Sequence, residues 1–172
     1  IFLAYNSILK RVILLDCNYF VVPAACDLFS IRALKTLGYT LTKWVRDWAT
    51  IVDLAPDNVY LLPGRPTFLG YIPQRFKVYG SRPASAYASY LPRIEKQMES
   101  DVVAVLREMD PALAPKAVQL GQIRDFGSLA ISSQRLGKPM TEVDDGPPDQ
   151  REEARRSFSS LAKRIIEGTE RH

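Results

Sequence analysis

Residues 17–37 read CNYFVVPAACDLFSIRALKTL, and this stretch decides the fold. A β-prone apolar run, from Tyr19 to Val22, stops at Pro23. A short loop closes on Asp27, and an amphipathic helix opens at Ser30, which can cap it. A buried strand feeding a helix is the repeating step of a doubly wound α/β sheet. Ligands in such sheets sit beyond the carboxyl ends of the strands, so the loop 23–29 is the first place to look for function.

Downstream, Ile31, Leu34, Leu37, Leu41, Trp44, Val45 and Trp48 recur at helical spacing, with Arg32, Lys35, Lys43, Arg46 and Asp47 on the other side. That pattern predicts one long helix with a wide buried face, its two tryptophans in the core. Upstream, residues 1–15 read as the tail of a helix that leads into the first strand. Residues 53–66 hold three prolines and a glycine, an unusually long loop and a candidate insertion. Residues 67–72 form a second buried strand, ended by Pro73. Residues 75–83 (RFKVYGSRP) form a basic, aromatic loop with Gly80 as its hinge.

The apolar set Tyr87, Leu91, Ile94, Met98, Val102 and Val105 predicts a helix over 85–106 that Pro92 kinks or starts. Residues 117–120 suit a short strand, 121–127 a loop, and 128–136 a helix ending at Gly137. Residues 138–143 suit a last edge strand. DDGPPD at 144–149 is a turn or linker. The final helix, 150–172, opens on a capping box of Asp149 with Glu152, buries Phe158, Leu161, Ile165 and Ile166, and packs on the same domain as 1–143. Helices alternating with strands predict a mainly parallel sheet flanked by helices, with at least one open edge.

The chain has 172 residues, a net charge of +4, two cysteines and one histidine. That length is enough to bury a real core. His172 at the C-terminus is the single histidine, which removes Ser-His-Asp and Cys-His catalysis, and no C-x-x-C pair supports a metal site. The extended run between Cys17 and Cys26 spans about 16 Å or more, well beyond the ~7 Å reach of a disulfide. Free thiols and the absence of an apolar run long enough to span a bilayer point to the cytoplasm. The first residue is Ile, so processing or a fragment is expected. No G-x-x-x-x-G-K phosphate loop occurs.

Three segments resemble, in order, the C-terminal half of ParA/MinD-type ATPases, the deviant Walker P-loop family. They are NYFVVP with DLFSIRAL (18–34), FLGYIPQRF (68–76), and LGQIRD through GKP (120–139). The resemblance implies a partial P-loop NTPase fold lacking its N-terminal phosphate-loop portion. It places Gln74, Arg124 and Asp125 around the adenine, with Pro23 and Asp27 at the strand end beside them. The structural alternatives are that Pro23 only ends a strand and that Asp27 caps a helix. In the family, ATP and Mg drive dimerisation, and hydrolysis releases the homodimer from DNA or membrane. Walker A and the catalytic aspartates have no counterpart here, so no hydrolysis is expected of this chain alone.

The family also implies nonspecific DNA binding, for which Arg151, Arg155, Arg156, Lys163 and Arg164 on the last helix are candidates. Glu152, Glu153 and Glu167 on the same helix offer the plainer reading of a balanced, solvated face. The competing function is a non-enzymatic α/β adaptor that binds a protein or DNA.

Overall fold

The computed structural model of the chain describes residues 8–79, 82–83, 85–114 and 118–170. In chain order these form α1 (Ile8–Asp16), β1 (Tyr19–Ala25), α2 (Leu28–Asp53), β2 (Thr67–Phe76), β3 (Val78–Tyr79), β4 (Arg82–Pro83), α3 (Ser85–Ala88) and α4 (Tyr90–Met98). A π-helical turn (Glu99–Val103), α5 (Ala104–Met109), β5 (Ile123–Arg124), α6 (Ser128–Leu136), a 3-10 turn (Met140–Glu142) and α7 (Pro148–Thr169) follow. The architecture is α/β: β1, β2 and β5 pair in that order, all parallel, with helices on both faces.

Apolar patterning explains the layers. Against one face of the sheet pack Ile31, Leu34, Leu41 and Trp44 of α2 with Ile94, Met98, Val102 and Leu106 of the α4–α5 segment. Against the other pack Leu129 of α6 and Ala154, Phe158, Leu161 and Ile165 of α7. Ile166 is 56 % exposed, contrary to the expected burial, because it lies one residue off that seam. In β2, Phe68 and Tyr71 share the first face while Leu69 and Ile72 share the second. A bulge between Phe68 and Gly70 breaks the two-residue alternation and makes this possible. Gly70 is required there: its φ of 153° suits only glycine, and a Cβ would meet the Val118 carbonyl.

Both strands run past the prolines expected to end them. In β1, Thr67 N–H donates to Asn18 O (2.8 Å) and Cys26 N–H to Gln74 O (3.1 Å). Even-numbered β1 residues therefore face β2, and Pro23 faces the outer edge, where no strand pairs among the described residues. A missing N–H costs no ladder bond there. In β2, Tyr71 N–H donates to Val118 O and Leu120 N–H to Tyr71 O, so the next link would run from Pro73 to the Leu120 carbonyl. The Arg164 guanidinium occupies that carbonyl instead, at 3.0 Å.

Other boundaries also shift. α2 starts two residues before Ser30, because Asp27 is the N-cap and its carboxylate accepts from Ser30 N–H at 2.7 Å. The 75–83 loop is the end of β2 followed by the antiparallel pair β3–β4; Gly80 lies outside the described residues. α3 and α4 break at Ser89, and Pro92 sits in the first turn of α4, where its missing N–H has no helical partner to lose. Residues 118–120 contribute a single bridge, Gln119 to Tyr71, and β5 forms inside the segment read as a loop. The expected strand at 138–143 is a 3-10 turn. The expected capping box is absent: Pro147 is the N-cap of α7 and Pro148 follows as the first helical residue, leaving Asp149 in the first turn.

The 54–66 segment has no regular structure, but it is anchored. Trp48 Nε1 donates to Leu62 O at 2.8 Å, and Gly64 lies against the Trp48 ring with no room for a side chain. Cys17 and Cys26 are both free thiols. No described helix is long and apolar enough to cross a membrane.

Candidate functional site

Parallel pairing brings the carboxyl ends of all three strands together. Ala25, Gln74 and Ile123 are neighbours across the sheet, and Phe76 is paired with Arg124. Asp125 N–H continues the ladder by donating to Phe76 O at 2.9 Å. Arg75 is the bulged residue between these pairs, with a left-handed φ of 61°. A non-glycine residue held in that conformation stores local strain, a feature concentrated at functional sites.

Beyond β5 lies an open groove of about 330 Å³ lined by Lys77, Arg124, Asp125, Phe126, Gly127, Ser128 and Gln150. Asp125 turns the chain into α6: its Oδ1 accepts from Gly127 N–H at 2.9 Å. Gly127 has a φ of 50°, and a Cβ there would meet nothing within 4 Å, so the groove stays open above it. No side chain caps α6; Leu129 N–H in its first turn donates instead to Phe126 O at 3.1 Å.

Arg124 organises the groove wall. Its guanidinium carbon lies 5.1 Å from the Phe126 ring centroid, and the group ion-pairs with Glu153 of α7. Its Nε, a buried donor, has no hydrogen-bond partner. Gln150 Oε1, a buried acceptor on the first turns of α7, also has none. Buried polar atoms are normally paired, so these two are exceptions, and both belong to residues that line the groove.

Of the five expected site residues, Arg124 and Asp125 line the groove. Gln74 lies on the same strand end, half-buried, but does not line it. Pro23 is exposed within β1, and the Asp27 carboxylate is engaged as the helix cap. Lys77, Phe126, Gly127, Ser128 and Gln150 were not singled out as site residues. Lys77 carried a signal as part of a basic loop, whereas Gln150 had none, since only the packing of α7 brings it to the groove.

The basic residues of α7 are mostly engaged within the protein. Arg151 donates to Asp144 O at 2.9 Å, Arg155 to Thr141 O at 2.9 Å, and Arg164 to Leu120 O. Lys163 approaches Glu167 at 4.0 Å. Among the described residues no group of three His, Cys, Asp or Glu side chains is placed to hold a metal ion.

No protein-family model matches this chain, and neither a curated protein nor a solved structure matches it.

Proposed function

We propose that the chain is the base-binding, C-terminal portion of a ParA/MinD-like ATPase and binds an adenine nucleotide at the groove beyond β5. The observation that carries this reading is the groove at the strand ends, where α/β sheets take ligands, lined by Arg124 and Gln150, whose Nε and Oε1 are buried without partners. Adenine presents an acceptor next to an amino donor and matches that pair. Phe126 and the guanidinium stacked on it supply a flat apolar wall, and Lys77 supplies positive charge at the rim.

The triphosphate and Mg are a different matter. The sequence has no phosphate-binding glycine loop, and the described residues offer no carboxylate set for the ion. Phosphoryl transfer needs those groups, so this chain binds the base end and does not hydrolyse ATP by itself.

Calorimetric titration of the whole chain with adenosine, guanosine and ATP tests the reading. Adenosine and ATP should bind with similar affinity, because the phosphates are not held. Gln150→Leu should weaken both by about tenfold, the worth of one buried hydrogen bond. No heat from either adenine compound would overturn the proposal and leave the adaptor reading.

A further inference from the structure

We propose that the recess between α2, the end of α5 and the segment leading into β2 binds a small aliphatic monocarboxylate. Its volume is about 360 Å³, near the lower end for small-ligand sites, so the occupant is small. Val45 and Ala49 lie one helical turn apart on α2 and line it together with Met109 and Leu113. Val45 and Leu113 are buried, while Ala49 and Met109 are half-buried, so the interior is apolar. The alanine leaves the space that a larger side chain at 49 would take.

The charged lining is Arg46, Arg65 and Asp110. Both arginines are exposed, which puts their charge at the mouth. Asp110 is fully engaged within the chain: Oδ2 accepts from Arg65 Nη1 at 3.3 Å, and Oδ1 from Ala112 N–H at 2.9 Å. Arg46 has no ion-pair partner among the described residues, and its neighbour Asp47 is taken by Lys43 and Arg11. The charge left unmatched at the mouth is therefore positive, and Arg65 keeps guanidinium N–H groups beyond the one given to Asp110. An anion with an apolar tail satisfies both halves, its carboxylate on the arginines and its tail on the apolar interior.

Arg65 is held in place by α2 itself. Trp48 Nε1 bonds to Leu62 O, and Gly64 lies against the Trp48 ring, so the chain just before Arg65 is fixed to the same helix that supplies Arg46. Since Arg65 precedes β2, the recess is at the amino ends of the strands, and the inference does not depend on the nucleotide reading of the opposite end.

Titration of the isotope-labelled whole chain with hexanoate, followed by its amide resonances, tests this. Hexanoate should give saturable shifts at Ala49, Arg65, Asp110 and Leu113. Hexan-1-ol, with the same tail and no charge, should bind at least about tenfold more weakly, the worth of a hydrogen bond to a charged group. Arg46→Gln should weaken hexanoate by about tenfold with the fold intact, because Arg46 is exposed and makes no ion pair. Ala49→Leu should fill the recess and abolish binding; should that variant fail to fold, Arg46→Gln decides. Shifts that do not saturate or that fall outside the recess, equal affinity for hexan-1-ol, or undiminished binding by Arg46→Gln or by folded Ala49→Leu would each overturn the proposal.

Discussion

Arg164 supplies the hydrogen bond that Pro73 cannot. Its guanidinium donates at 3.0 Å to the Leu120 carbonyl, the acceptor that the β2 ladder reaches at the one position lacking an N–H. A residue read as a DNA contact is thereby tied to the segment that runs beside the central strand, and α7 is fastened there by a polar link as well as its apolar seam. Arg164→Met keeps most of the aliphatic stem and removes the donor. It should lower stability by about 1 kcal/mol, the low end for such bonds because the site is only partly buried. Urea denaturation reads the loss, and unchanged stability would mean that water replaces the guanidinium at no cost.

Gly38, in the middle of α2, packs directly on the Asp101 carbonyl of the π-helical turn, with no space for a Cβ. Alanine there gains about 1 kcal/mol of helix propensity but forces two helical segments apart. Overpacking of this kind costs about 1–3 kcal/mol, and the contact is with backbone, which yields less than a side chain. Gly38→Ala should therefore be net destabilising in thermal unfolding. A stabilised variant would show that the π turn relaxes to accommodate the methyl group.

Asp27 is the cap of α2, and its carboxylate is occupied by Ser30 N–H. Asp27→Ala should cost about 1 kcal/mol of stability, while Asp27→Ser should recover most of it. Neither change should alter adenosine affinity. A fall in affinity with both variants would return Asp27 to the ligand site.

The two thiols should differ sharply in reactivity. Burial, with a smaller contribution from the Asp27 charge, pushes the Cys26 thiol up from 9.0 to about 11, whereas Cys17 is half-buried. Alkylation at pH 8 should label the half-buried Cys17 first and the buried Cys26 much more slowly, because burial holds Cys26 as the unreactive thiol. The raised pKa also has a sign in stability. Between about pH 9 and 11 the folded state holds the Cys26 proton and the unfolded state releases it, so stability falls as pH rises through that window. Cys26→Ala should flatten this alkaline decline, and equal labelling rates for the two thiols would contradict the burial of Cys26.

Much of the architecture was legible because it is written in local patterns. The apolar stripe from Ile31 to Trp48, the β-prone run after Cys17 and the Gly137 stop each depend on residues within a few turns of one another. The failures share a cause as well. Pro23 and Pro73 read as strand ends, because a sequence does not say which way a residue's N–H faces. That depends on the partner strand, which lets Pro23 face an open edge and Arg164 answer for Pro73. The same limit hid β5, two residues long, whose strand character comes entirely from pairing with β2.

For the candidate site the division is similar. Sequence alone determined that the chain alternates helices and strands and that its residues include one histidine and no G-x-x-x-x-G-K motif, since residue types and periodicity suffice for these statements. It also singled out Arg124 and Asp125 as candidates, and both line the groove. Only the tertiary structure decided that Gln150, some 26 residues away in sequence, joins Arg124 at the groove, and that Gln74, Pro23 and Asp27 do not line it. The physical reason is that a binding surface is made by packing distant segments together, and the register of β2 against β5 and the docking of α7 are set by long-range contacts that no local pattern records.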